Sequence, residues 1–332
     1  MSLRHLGAIV VAGLGAVALT TLTACGQEAP TNSASGFPST GRLQIIAPAA
    51  PGGGWDGTAR SLQTAIEDSD LVKNTQVINV EGAGGTIGLA RFVADDDPKQ
   101  LLVMGATLVG AIAVNQSQIT IDDAVPVARL TGEYHVLVVP KDSKFQTLAD
   151  FTEAFKSDPG GHAIAGGSAG GTDQVTAGLY AEAVGVDPRE VNYIPYSGGG
   201  EALAAILGGK VAAGISNVQE WGGQIESGDL RVLAVSAPER LDSLDAPTFQ
   251  EQDVDVELAN WRGVLAPPGT SDEQVEDIQQ FLTEVHGTPQ WKEALESNGW
   301  EDTFLVGAEV EPFFREQSAE IRETLTKIGL VQ

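Results

Sequence analysis

Three times in this chain a short apolar stretch runs into a glycine-rich loop and then into a segment with helical spacing. The loops are Pro51-Gly-Gly-Gly-Trp-Asp56, Glu81-Gly-Ala-Gly-Gly-Thr86 and Gly166-Gly-Ser-Ala-Gly-Gly-Thr172, and a fourth cluster, Tyr196-Ser-Gly-Gly-Gly200, has the same setting. Strands alternating with helices predict an α/β fold with largely parallel sheets. In open α/β sheets ligands sit beyond the carboxyl ends of the strands, where such loops gather. Glycine lets the backbone approach a ligand, and the first amides of the next helix are unpaired donors. An exposed helix start favours an anion by about 0.3–1 kcal/mol. Several converging starts would hold a polyanion without any lysine or arginine.

The alternation is regular. Strands are predicted at 43–46, 75–80 and 101–105, the last ending in a loop over 106–110, and at 134–139, whose near-continuous apolar run suits burial on both faces. Helices are expected at 58–69 and 87–93. The pattern then restarts with a helix at 147–157, an extended segment at 162–165 and a helix at 172–184. Further strands follow at 192–194, 212–215, 231–235 and 261–266. The remainder is mostly helical: Ser271-Asp-Glu-Gln274 fits a capping box, and helices follow at 290–297 and 310–328.

At 332 residues the chain has room for two compact domains, and 42% hydrophobic with 19% charged residues suits a soluble globular protein. A net charge of -26 argues against nucleic acid and against electrostatic adhesion to anionic lipid. It also means that an anion site must be built from local donors. No cofactor is expected, and no histidine or cysteine cluster suggests a metal. The single cysteine, Cys25, excludes an internal disulfide.

Cys25 has a more specific setting. Met1-Ser-Leu-Arg4-His5 is a basic start, an apolar run follows, and Leu22-Thr23-Ala24 brings small residues before the thiol. That order describes an export signal. As a membrane span the run at 6–22 falls short of roughly 20 residues and is broken by Gly7, Gly13 and Gly15. The reading is a lipoprotein signal peptide at 1–24, lipidation of Cys25, and a flexible tether over 25–41 rich in Pro, Ser and Thr.

Two motifs suggest other chemistry. Gly52-Gly-Gly54-Trp-Asp-Gly57 satisfies G-x-G-x-x-G, but Pro48 and Pro51 stretch the turn that a dinucleotide pyrophosphate needs. Gly166-Gly-Ser168-Ala-Gly170 fits the nucleophile elbow of a serine hydrolase, with Ser168 as nucleophile. Such an enzyme needs a later acid and then a histidine, and only His286 follows, at the expected end of a helix. His135 and His162 read as structural. A serine hydrolase on Ser168 is the enzymatic alternative.

Taken in order, these segments resemble the substrate-binding proteins of tripartite tricarboxylate transporters. The resemblance runs from about Arg42 to the C-terminus. Ile46-Ala-Pro-Ala-Ala-Pro-Gly-Gly-Gly-Trp-Asp56, Glu81-Gly-Ala-Gly-Gly-Thr-Ile-Gly88 and Gly166-Gly-Ser-Ala-Gly-Gly-Thr-Asp173 carry it. Ile194-Pro-Tyr-Ser-Gly-Gly-Gly-Glu-Ala202, Leu207-Gly-Gly-Lys-Val211 and Val264-Leu-Ala-Pro-Pro-Gly-Thr270 follow in the family's order.

The resemblance implies a periplasmic-binding-protein-like (type II) clam-shell of two α/β domains joined by two crossing segments, here near 136–140 and 261–266. Domain 1 would be 42–138 plus 262–332, and domain 2 would be 139–261. A ligand carboxylate would sit against backbone amides at Ala50, Gly53, Gly54, Trp55 and Asp56 and at Ser168, Gly170, Gly171 and Thr172. Thr107, Leu108, Tyr196, Ser197 and Asn217 complete the implied set. Gln174 stands where the citrate-taking branch has histidine, and Ser216-Asn217-Val218 departs from its usual turn, which leaves the acid itself open. The implied protein is a receptor and not an enzyme. It captures a small, citrate-like di- or tricarboxylate outside the cytoplasm and delivers it to large and small integral-membrane permease subunits. It works as a monomer held to the membrane by the lipid on Cys25. A sensor that presents its ligand to a signalling partner is the other non-enzymatic reading.

Individual side chains carry two readings each. Trp55 walls the pocket or plugs the space under its loop. Asp56 reads first as a helix N-cap, with Arg60 one turn on as its ion-pair partner. Ser168 and Thr172 offer hydroxyl donors or caps. The run Asp95-Asp-Asp97 reads as solvated surface.

Overall fold

The structure is a computed structural model that describes residues 36–38, 41–95, 97–196 and 199–331. The expected signal peptide, Cys25 and Ser197 lie outside the described residues. Among the described residues no helix is long and apolar enough to cross a membrane.

The chain starts with β1 (Arg42–Ala47), α1 (Gly54–Asp68), β2 (Asn74–Asn79), α2 (Thr86–Ala94), β3 (Gln100–Gly105), α3 (Ala106–Val114) and β4 (Val125–Gly132). It continues with β5 (His135–Pro140), α4 (Leu148–Ser157), β6 (Ile164–Gly166), α5 (Thr172–Ala183), β7 (Tyr193–Pro195), α6 (Gly199–Leu207), β8 (Ala213–Asn217), α7 (Val218–Glu226) and β9 (Leu230–Val235). It ends with β10 (Arg262–Ala266), α8 (Asp272–His286), α9 (Pro289–Asn298), β11 (Glu301–Leu305) and α10 (Val310–Lys327).

These elements form two sheets, one of six strands in the order β11-β4-β10-β3-β1-β2 and one of five in the order β7-β6-β8-β5-β9. The expectation of largely parallel sheets is corrected. β1 pairs parallel with β2 and β3, and β6 with β7 and β8. The pairings of β10 with β3 and β4, of β11 with β4, and of β5 with β8 and β9 are antiparallel. The cause is the passage between sheets: β4 and β10 on one side and β5 on the other are the strands next to the crossings. β10 runs against β3 and β5 against β8, whereas β4, antiparallel to β10, points the same way as β3.

The crossings also lie elsewhere than expected. β5 belongs wholly to the second sheet and β10 wholly to the first. The chain passes between sheets at Glu133 and Tyr134 and again just before β10. There the two passages pair with each other, Glu133 and Asn260 exchanging backbone hydrogen bonds of 3.2 and 2.7 Å and Tyr134 bridging Ala259. The result is a two-lobed α/β clam-shell with a short, paired neck.

Local signals explain most elements. In β5, Leu137 and Val139 enter the core on one face of the second sheet, and Val136 and Val138 the core on the other, as burial on both faces requires. α4 opens with a Thr147–Asp150 capping box, and α8 with the expected Ser271–Gln274 box. α10 lies across both lobes: Phe314 packs on Trp261 at 5.0 Å, while Lys327 pairs with Glu182 of α5 at 3.0 Å.

Three expectations change. The predicted loop at 106–110 is the first half of α3. This helix is buried on nearly all sides, so its sequence has no polar face to read. β4 and β11 were not expected; Pro126 interrupts the first, and the acidic Glu301 and Asp302 open the second. Phe37, placed in the tether, is 7% exposed and packs edge-on against Phe281 at 5.5 Å.

Candidate functional site: a cleft between two helix starts

A cleft of about 510 Å³ lies between the lobes, at the carboxyl ends of the parallel strands. α1 and α5 both begin at it. α1 starts four residues earlier than expected, directly in the glycine loop, with Gly53 as N-cap; α5 starts behind Gly171. Neither cap supplies a side-chain bond, so the first-turn amides depend on something outside the helix.

The two loops before α1 and α5 engage most of their glycine amides internally. Gly52 donates to Asp56 Oδ2 at 2.8 Å and Gly53 to the Ala50 carbonyl at 3.1 Å. In the second lobe Gly167 donates to Asp173 Oδ2 at 2.6 Å, Gly170 to Gln174 Oε1 at 2.9 Å, and Gly171 to the Ser168 carbonyl at 2.9 Å. Left without a hydrogen-bond acceptor among the described residues are the amides of Gly54, Trp55 and Asp56 in α1 and, among others, those of Ser168, Thr172 and Asp173 around the start of α5. The open donors are therefore mostly the first-turn amides, more than the loop glycines.

Of the expected residues, Ala50, Gly53, Gly54, Trp55, Thr107, Ser168, Gly171, Thr172 and Asn217 line the cleft. Four described ones do not. Asp56 is the third residue of α1 and not its cap; its buried carboxylate turns away to accept from Gly52, from Arg60 Nε at 2.9 Å and from Asn79 Nδ2 at 2.9 Å. Leu108 is fully buried in the first-lobe core. Gly170 has φ +75 and faces α3. The Tyr196 amide is bound to the Gly166 carbonyl at 3.0 Å. Trp55 fulfils both of its readings, since it belongs to the core cluster and also walls the cleft. Its ring covers Gly85, where a Cβ would meet it at 2.8 Å.

His135 is buried beneath α5. Its Nε2 lies 3.0 Å from Thr172 Oγ1 and 3.3 Å from Asp173 Oδ1, and its Nδ1 lies 3.3 Å from Thr176 Oγ1. The ring thus fixes the first turn of α5. Gln174, the departure from the citrate branch, closes the loop through Gly170.

With this geometry in view, the comparisons with known proteins decide the family. The model of the tripartite tricarboxylate transporter family receptor matches residues 58–330. The chain belongs to that family. It is 30% identical to Protein BugT of Bordetella pertussis over 318 residues, which cover 92% of this chain and 96% of BugT. A TctC solute binding protein from Polaromonas superposes with a TM-score of 0.71 at 25% identity, over 88% of this chain and 99% of that one. MatC from Rhodopseudomonas palustris, solved with bound malate, has a TM-score of 0.70 at 22% identity, again over 88% and 99%.

Family members are substrate-binding receptors and not enzymes, which sets aside the hydrolase reading. The histidine it required, His286, is bound to Asp302 at 2.9 Å and stacked on Phe304 at 4.2 Å, and neither it nor Asp302 lines the cleft.

This receptor's cleft also holds charged residues that sequence reasoning did not place there: Arg262, Glu81, Asp173 and Glu220. Arg262 corrects the expectation of a site without lysine or arginine. Its signal in the sequence was a charge at the head of the apolar strand Trp261-Arg-Gly-Val-Leu-Ala266. Glu220 faces the cleft and accepts from Ser216 Oγ at 2.8 Å. Enclosure by the cleft walls, and then the charge of Asp173, push its carboxyl above the usual range. Asn260, also missed, joins Arg262 to Asn217 across the neck.

Proposed function

We propose that the chain is a lipid-anchored, extracytoplasmic receptor that captures a small di- or tricarboxylate between its lobes and delivers it to the large and small permease subunits of a tripartite tricarboxylate transporter. The observation that carries this reading is the pairing of the acceptor-free helix starts of α1 and α5 across one cleft. Oriented amides and helix dipoles favour anions without mobile counter-charges. A chain of net charge -26 needs such local donors to hold an acid at all. Malate, the ligand of MatC, is an acid of the size that this cleft admits.

Lipidation at Cys25 keeps the receptor near its permease, and the monomer suffices because both helix starts come from one chain. Closure turns on the paired neck, with the lobes meeting at that neck in place of boundaries at 138–139 and 261–262. Several charge-assisted bonds and burial give an expected affinity near micromolar, about -8 kcal/mol.

A thermal-shift series with succinate, malate, tricarballylate and citrate tests the reading. A ligand at a hundred times its Kd stabilises the folded state by about 2.7 kcal/mol. A rise in Tm with at least one acid is expected; no rise with any of them at millimolar concentration contradicts it.

A further inference from the structure

Arg262 is 5% exposed, yet its surroundings do not satisfy it. Nη1 donates to Asn260 Oδ1 at 2.9 Å. Nη2 faces Glu133 Oε1 at 3.4 Å, long for a charge-assisted bond. Nε has no acceptor among the described residues, and neither has the indole Nε1 of Trp55, a side chain only 7% exposed. The Trp55 indole N–H and the Arg262 guanidinium flank the same backbone: a Cβ on Gly105 would lie 3.2 Å from Trp55 Nε1 and 3.4 Å from Arg262 Nη1.

The guanidinium also packs on the first residue of α1, where a Cβ on Gly54 would meet Nη2 at 2.7 Å. A helix N-terminus carries partial positive charge. A buried cation placed there is held by one long ion pair, and buried pairs are a poor source of stability. Arg262 Nε, Trp55 Nε1 and the amides of Gly54 and Trp55 are thus a group of N–H donors without acceptors among the described residues.

We propose that Arg262 is a ligand-binding residue. With Trp55 Nε1 and the open amides of Gly54 and Trp55 it forms a seat for one planar carboxylate of the ligand, and Glu133 is the weak partner that the ligand outcompetes. This rests on the receptor reading above and names the side chains that select a carboxylate over a neutral group at the first-lobe wall. A guanidinium fork matches a carboxylate in two places at once, which a lysine does not.

The rival role is a structural pin of the neck, in which Arg262 and Glu133 act only as a pair. Calorimetric titration of the full chain in detergent with succinate, malate, adipate and citrate separates the two, using the acid that binds wild type most tightly. Arg262→Gln is expected to weaken binding at least tenfold, while Glu133→Gln, which breaks the same ion pair, binds as well as wild type or better. Equal losses in both variants, or an Arg262→Gln affinity within threefold of wild type, overturn the proposal and leave the receptor reading standing. If Arg262→Gln does not fold, Arg262→Lys takes its place, with a loss of at least threefold expected and an unchanged affinity overturning the proposal. If none of the four acids binds wild type, the receptor reading fails and this proposal fails with it.

Discussion

Asp173 Oδ2 accepts the backbone N–H of Gly167 at 2.6 Å, and in the other lobe Asp56 Oδ2 accepts that of Gly52 at 2.8 Å. Each lobe therefore uses an aspartate in the first turn of a helix to fold the preceding glycine loop back on itself. Each acid has a basic neighbour, His135 for Asp173 and Arg60 for Asp56. The device resolves a conflict in the sequence. A carboxylate at a helix start would repel an anionic ligand, but the Asp56 carboxylate is turned away from the cleft and both are tied into their loops.

Asp56 is the first test. Burial alone would push its carboxyl up, but Arg60, the Gly52 amide and Asn79 outweigh burial and hold it below the usual carboxylate range. A depressed folded value means stabilisation that is present above the unfolded value and lost as pH falls through the folded one. Asp56→Asn should cost about 2–3 kcal/mol at pH 7. In urea unfolding the gap between variant and wild type should close only in the acid range, below ordinary carboxylate titration.

Removing the His135 ring leaves a buried gap beneath Thr172, Thr176 and Asp173. His135→Ala should lower stability by about 2–4 kcal/mol, from cavity and unpaired hydroxyls together. Ligand affinity should fall as well, because the α5 amides lose their fixed direction. Thermal unfolding and calorimetry on the same sample check both effects.

Glu220 predicts how binding depends on pH. Enclosure, Asp173 and Glu133 raise its proton affinity, while Ser216 and Arg262 oppose them. As pH falls through that raised value the second-lobe wall loses a negative charge, so a ligand that stays fully ionised binds more tightly. The expected result is a Kd that falls in wild type as pH is lowered through the raised Glu220 titration and stays flat in Glu220→Gln. An unchanged slope in the variant would assign the effect elsewhere.

Gly85 has φ +94, and a Cβ there would lie 2.8 Å from the Trp55 ring and 3.2 Å from Leu108. Gly85→Ala combines a left-handed backbone with a displaced indole. A loss of about 1–3 kcal/mol is expected, seen as a lower Tm. Weaker ligand binding should accompany it, since Trp55 also walls the cleft.

Much of this was legible in the chain. The glycine loops announced the cleft because glycine and helix starts have local causes, and the Ser271 and Thr172 helix starts fell at the expected residues. What local reasoning missed was set by distant partners. α3 has no amphipathic period because α10 and the second glycine loop cover it. β11 is an edge strand that forms only because β4 is there to pair with it. Arg262 looked like one residue of a strand, and it becomes a site residue only when the neck brings Glu133, Asn260 and the start of α1 around it. The same holds for Gly53, Gly170 and Gly171, whose amides were expected to be open and are closed by carbonyls or side chains nearby.

A crystal structure of the protein with its tightest-binding small dicarboxylate tests the central claim most directly. The account predicts one carboxylate within about 3.2 Å of the Gly54 or Trp55 amide on one side and of the Thr172 or Ser168 amide on the other, with the lobes drawn together. A ligand bound outside the cleft, or inside it with those amides still unengaged, would contradict the account.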